Sequence, residues 1–180
     1  MPREIWTIGH SNRAIDSLVA LLKGPAIVRV ADVRRFPSSA RHPQFNQAAL
    51  ERALAEHGIG YQHFEELGGR RQGRVEGSIN TAWRVAAFNS YADYMDSPEF
   101  QAALGLLGEQ AETRRTAVMC AEALPWQCHR RLIADALIVR GWTVWDIIGP
   151  APPKQRTLTE FARAAAGRLT YPGEPLFPEA

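Results

Sequence analysis

Apolar and polar positions change period in blocks along this chain. Short apolar runs occupy residues 5–8 (IWTI), 26–33 (AIVRVADV), 59–64 (IGYQHF), 116–120 (TAVMC) and 143–148 (TVWDII). Runs of that length predict strands, and their near-continuous hydrophobicity is that of strands paired in parallel inside a sheet. Between them the period becomes that of a helix with one buried face. Ile15, Leu18, Val19, Leu21 and Leu22 form one such stripe, with Ser11 or Asn12 as its cap and Gly24-Pro25 as its stop. A second helix is expected over 46–57 and a third over 83–95. A fourth opens on Ser97-Pro98-Glu99, a cap, a first-position proline and an acidic first turn, and a fifth runs from Pro125 or Trp126 to Arg140. The strand–helix alternation predicts an α/β fold. It is expected as a single three-layer domain over residues 1–150, with a mainly parallel sheet of about five strands and helices on both faces. Residues 151–180 are expected to add a helix at 157–167 and an irregular, proline-bearing tail from 171 to 180. Residues 68–81 read as one long loop.

Composition narrows the class. Of 180 residues, 46% are hydrophobic and 22% charged, the balance of a soluble globular chain. No apolar run approaches the ~18–20 residues of a membrane span, and MPREIWTIGH lacks the apolar core of a secretory signal. Two cysteines are too few for a disulfide scaffold, so a reducing, cytoplasmic setting is expected and no membrane partner. A net charge of +2 argues against a nucleic-acid-binding arm. No GxGxxG follows the first strand and no GxxxxGK[ST] occurs, which removes the dinucleotide and Walker-type nucleotide sites.

Chemistry concentrates in AVMCAEALPWQCHRR, residues 117–131. Read as strand, polar loop and helix start, it places Cys120, Glu122, Cys128, His129 and Arg130 beyond a strand's C-terminal end, where ligands of open α/β sheets bind. The coming helix N-terminus favours an anion or a thiolate. Cys120 is a candidate nucleophile, although a phosphatase-type Cys-x5-Arg loop is absent, Trp126 standing where the arginine belongs. Cys128 is a second catalytic candidate. The pair could instead hold a metal with His10 or His63, yet Cys-x7-Cys-His is not a structural zinc spacing, and both thiols could simply be buried hydrophobes. Asp32 and Glu122, close to strand ends, are the acid–base candidates, unless Asp32 only pairs with Arg34 or Arg130 and Glu122 only caps a helix. Arg34 and Arg130 are read as anion clamps at the rim. His10, Ser11, Asn12 and His129 complete the ligand set, with Gly68 and Gly69 allowing close backbone approach and Arg70 reaching in from the long loop. Tyr91 and Tyr94 fit a core face better than a stacking platform.

The ordered set TIGHSNR (7–13), VADVR (30–34) with Pro37-Ser38, GIGYQHFEELGG (58–69), Tyr91/Tyr94-Met95 and MCAEALPWQCHR (119–130) resembles the DUF488 family. The resemblance runs from about residue 5 to 148 and implies a small cytoplasmic α/β protein of the kind found in bacteria and archaea. It implies no reaction. Three functions therefore stay open. The favoured one is an enzyme acting on a small anionic, phosphorylated or nucleotide-like ligand at the C-terminal strand ends. The others are a nucleic-acid-associated binding protein using the arginines of 70–84, and a metal or redox protein using Cys120 and Cys128. No cofactor and no oligomeric state are legible.

Overall fold

In the computed structural model, residues 3–174 are described. The chain opens with β1 (Glu4–Gly9), whose last five residues are all buried, and continues through α1 (Ile15–Lys23), β2 (Arg29–Asp32), α2 (Gln47–Ala55) and β3 (Gly60–His63). After the long loop come α3 (Ala86–Tyr94), α4 (Pro98–Thr113), β4 (Thr116–Cys120), α5 (Arg130–Val139) and β5 (Thr143–Ile147). Two residues, β6 (Lys154–Gln155), pair antiparallel with β5, and β7 (Arg163–Ala165) and β8 (Arg168–Thr170) form a separate hairpin. The main sheet runs β3-β2-β4-β1-β5-β6, with its first five strands parallel. This is the expected α/β architecture, with one short antiparallel edge strand added. No helix among the described residues is long and apolar enough to cross a membrane.

Two apolar cores lie on opposite faces of the sheet, as the two-residue alternation of strands requires. Ala117 and Met119 of β4 pack with Leu18, Leu22, Leu50 and Leu54 of α1 and α2. Val118 and Cys120 point the other way, into the core built by α3, α4 and α5. Register then sets the site. Gly9 pairs with Cys120, Asp32 with Met119, and Asp32 with His63, so four strands end in one row.

Several local expectations change. Ser11 and Asn12 do not cap α1: Ser11 sits at φ 52° with its N–H on the Ala121 carbonyl, and Ala14 holds the cap position. Ser97 does cap α4, accepting from the Phe100 amide at 3.2 Å. The fifth helix starts later than expected. Pro125–Gln127 form only a 3-10 turn, Cys128 is extended, and α5 begins at Arg130. Residues 157–167 form no helix. Thr159 instead gives its N–H to the buried Asp135, and Phe161 packs edge-on against Trp83. Tyr171 is fully buried and donates to Asp135 at 2.9 Å, so the start of the expected tail belongs to the core. Residues 175–180 of that tail lie outside the described residues.

The 68–81 loop has almost no regular structure, as expected, but it is tied down through Asp93. That carboxylate accepts from Arg74 Nε (2.9 Å), the Val75 amide (3.2 Å), Asn80 Nδ2 (2.9 Å) and the Ser78 hydroxyl. The buried Asn80 passes the link on to the Tyr171 amide at 2.9 Å.

Candidate functional site

A cleft of about 840 Å³ opens above the row of strand ends. His10, Ser11, Asn12, Arg34, Gly69, Arg70, Cys120, Glu122, Cys128 and His129 all line it, so ten of the residues singled out from sequence meet in one place. Asp32, Gly68 and Arg130 do not line it. Arg35, Phe36, Ser38, Ser39, His42, Tyr91 and Gln127 do. The first five come from the stretch after β2. Its density of hydroxyl, imidazole and guanidinium groups was the available signal. Over Arg35, Phe36 and Arg70 the cleft continues into a second hollow of about 980 Å³, where Phe36 is 61% exposed.

The centre is Cys120. Its Sγ lies 3.0 Å from Glu122 Oε2 and 4.0 Å from His129 Nδ1. The other imidazole nitrogen, Nε2, is 2.9 Å from the Val33 carbonyl, which can only accept. Nε2 therefore carries a proton, which leaves Nδ1 as the nitrogen that exchanges a proton with Cys120. Tyr91 steadies the ring edge-on at 5.2 Å between centroids, and its buried hydroxyl donates to the Leu67 carbonyl at 2.7 Å. Gly69 passes so close that a Cβ there would stand 2.8 Å from His129 Nδ1. Gly68 is excluded from the cleft but equally constrained, since its Cβ would meet the Arg35 backbone at 2.7 Å.

These contacts move the titrations. The neighbouring Cys128 thiol pulls the Cys120 thiol well below the usual range; burial opposes this, and His129 and Glu122 add to the lowering. Burial, and then the Cys120 thiolate, pushes the Cys128 thiol well up. Burial and then the Cys120 charge raise Glu122. Burial alone would lower His129, but Cys120 and the Val33 carbonyl outweigh it and raise the ring. The four directions agree: Cys120 is biased toward its thiolate, and His129, Cys128 and Glu122 around it toward their protonated forms.

Cys128 has a second contact. Its Sγ accepts the Arg130 amide at 3.3 Å, so the first amide of α5 is spent on a sulfur and is not open to a ligand. Arg130 was expected at the rim and is 1% exposed. One guanidinium nitrogen holds the Glu122 carbonyl at 3.0 Å, while Nε and Nη1 have no hydrogen-bond partner among the described residues. It is a charge buried behind the sulfurs, with no access to an anion in the cleft.

Arg34 does face the cleft, although it is only 6% exposed. Asp32 grips it through Nε at 2.9 Å and Nη2 at 2.6 Å, and accepts in addition from the Arg34 amide (3.0 Å) and the Tyr61 hydroxyl (2.7 Å). With both oxygens occupied, Asp32 has the geometry of a holder of Arg34; it is not placed to move a proton to a ligand. The remaining Arg34 nitrogen, Nη1, reaches His10 Nε2 at 3.2 Å, and His10 Nδ1 lies 2.8 Å from the Ser11 carbonyl. Nδ1 thus donates and Nε2 accepts, which makes His10 neutral, and burial lowers its pKa accordingly. His63 donates to the Arg34 carbonyl at 2.7 Å and stays out of the sulfur cluster.

A family model for a domain of unknown function, DUF488, matches residues 14–137. The chain belongs to the DUF488 family. The match contains Asp32, Arg34 and the whole sulfur cluster, while His10 lies just before it. Neither the curated proteins nor the solved structures gave a match to the chain.

Proposed function

We propose that this DUF488 protein is a thiol-dependent enzyme acting on a small anionic ligand, phosphorylated or nucleotide-like. The observation that carries the reading is Cys120 Sγ on the cleft wall, 3.0 Å from Glu122 and 4.0 Å from an imidazole whose far nitrogen is fixed by a backbone carbonyl. His129 holds the proton of Cys120, and the thiolate attacks the electrophilic centre of the ligand. Glu122, biased toward its acid form, gives a proton to the leaving group. Arg34 and Arg70 supply positive charge along the cleft, and the exposed Phe36 ring offers a face for a planar group. A nucleic-acid role draws less support. Arg71 is spent on the carbonyls of Gly68 and Glu65, and Arg74 on Asp93, so two arginines of the 70–84 segment already have partners inside the chain.

The test is intact-mass spectrometry on protein incubated with a panel of small phosphorylated and nucleotide-like compounds. An adduct on Cys120, absent in Cys120→Ser and formed more slowly in Glu122→Gln, is expected. Failure of every compound to label Cys120, together with slow alkylation of Cys120 by iodoacetamide at pH 6.5, would overturn the reading.

One observation favours a second reading. The donor atoms of Cys120, Cys128 and His129 lie within 4.8 Å of one another, close enough to converge on one soft metal ion such as zinc. Elemental analysis of protein purified without chelator decides this. A stoichiometric metal lost in the Cys120→Ser, Cys128→Ser double variant supports the metal reading, and metal-free protein excludes it.

A further inference from the structure

The proposed reaction leaves Cys128 without a task. It is 3% exposed, lines the same cleft, and its Sγ is within 4.8 Å of Cys120 Sγ. We propose that Cys128 is a resolving thiol, so that the pair reduces small hydroperoxides through a Cys120–Cys128 disulfide. The inference rests on the reactive Cys120 of the preceding section and assigns the second sulfur.

The chemistry balances with hydrogen peroxide, the smallest of these, as oxidant. The Cys120 thiolate attacks one peroxide oxygen, the O–O bond breaks, and the departing hydroxide takes a proton from His129 to leave as water. Cys120 is then a sulfenic acid. Cys128 attacks that sulfur; the S–O bond breaks, the S–S bond forms, and the Cys128 proton leaves with the hydroxyl as a second water. Two electrons pass from the two sulfurs to peroxide, and a small dithiol returns them to the disulfide.

Three features support the assignment. The sulfurs need to close from within 4.8 Å to about 2.05 Å, and Cys128 sits in an extended link between a 3-10 turn and α5, outside the hydrogen-bonded helix. Arg130 stands two residues on, buried, with Nε and Nη1 unpartnered among the described residues, so positive charge without a full complement of acceptors backs the sulfur cluster. It favours the anionic states through which both steps pass. Cys120 is only 4% exposed but lines the cleft, and a hydroperoxide is small enough to reach its sulfur there.

The test treats the whole chain, in chelator, with stoichiometric hydrogen peroxide, followed by intact mass and peptide mapping. The wild type is expected to lose the mass of two hydrogens and to regain it with dithiothreitol. Cys128→Ser is expected to hold Cys120 as a sulfenic acid that dimedone traps, and Cys120→Ser to show neither product. Peroxide consumption with dithiothreitol should fall at least tenfold in Cys120→Ser. Cys120 passing to sulfinic acid in the wild type without a disulfide overturns the proposal. So does Cys128→Ser matching the wild type in both product and turnover. Iodoacetamide labelling of the same sample separates the two readings. Rapid alkylation of Cys120 with no disulfide removes the resolving role alone, whereas a Cys120 inert to both reagents removes both.

Discussion

Gly69 offers the sharpest test of the Cys120–His129 pair, because the side chain it lacks would press directly on the imidazole. It is not among the glycines with positive φ, so alanine fits its backbone and the perturbation is purely steric. The new Cβ would stand 2.8 Å from Nδ1, 3.1 Å from Cγ and 3.3 Å from Cε1 of His129. Ordinary contact begins near 3.5 Å, so the ring must retreat by about half an ångström or more. It has nowhere free to go. Nε2 is held at 2.9 Å by Val33, and the Tyr91 ring lies edge-on at 5.2 Å. Overpacking of this kind costs about 1–3 kcal/mol. The displaced Nδ1 also loses its approach to Cys120, and the thiol moves back toward its ordinary value of about 8.5. Below that value each unit of rise removes tenfold of the thiolate. Alkylation by iodoacetamide at pH 6.5 is therefore expected to slow at least about tenfold in Gly69→Ala. The deficit should vanish by about pH 10, where both proteins are ionised. A deficit that persists unchanged at high pH would mean blocked access, and an unchanged rate at pH 6.5 would mean that His129 does not activate Cys120. Either result refutes the reasoning.

Other variants probe the scaffold. Gly9→Ala places a Cβ 1.8 Å from the Glu122 carbonyl, a clash of backbone with backbone, and is expected to cost more than about 3 kcal/mol in urea unfolding. Asp32→Asn leaves the Arg34 guanidinium buried without its counter-charge. A loss of about 3–5 kcal/mol is expected by the same measurement, and a loss under 1 kcal/mol would show that Asp32 is not what holds Arg34. Asp93 is held below its ordinary value: burial would raise it, but the bonds from Ser78, Asn80, Val75 and Arg74 prevail. A depressed carboxylate stabilises above its unfolded pKa, about 3.9, and that stability is lost as pH falls through the folded value. The gap in Tm between wild type and Asp93→Asn should accordingly be full at pH 7 and shrink below about pH 4.

The fold was legible because parallel strands buried on both faces write themselves as continuous apolar runs, and TAVMC is buried at every position. Where the pattern failed, tertiary contacts had overruled a local one. Leu158, Phe161 and Ala165 carry helical spacing, yet Phe161 is drawn to Trp83, and the Thr159 amide to Asp135, before a helix can form. The start of α5 was misplaced because Pro125 is as good at opening a 3-10 turn as an α-helix. Asn89 shortened α3 in a way that no spacing announces: its side chain pairs with both the amide and the carbonyl of Trp83, which keeps that residue out of the helix.

The site was half legible, and the missing half concerns which way charge points. Arg34 and Arg130 look alike in sequence, each beside a motif at a strand end. Arg34 has a carboxylate two residues back that grips it from below and leaves Nη1 at the cleft wall beside His10. Arg130 falls on the first turn of α5, and its side chain runs under the loop to the Glu122 carbonyl. A guanidinium buried with two unpartnered nitrogens is costly unless negative charge lies nearby. Cys128, whose Sγ accepts the Arg130 amide, is the cleft residue beside it able to carry that charge, and the guanidinium works against the rise of that thiol. The burial of Arg130 and the setting of the Cys128 sulfur are thus two sides of one arrangement. Neither cysteine announces this from its own position. It follows from β4 ending between β1 and β2, which brings Cys120 under His129, and from Cys128 lying just before α5, where its sulfur takes the first amide of that helix.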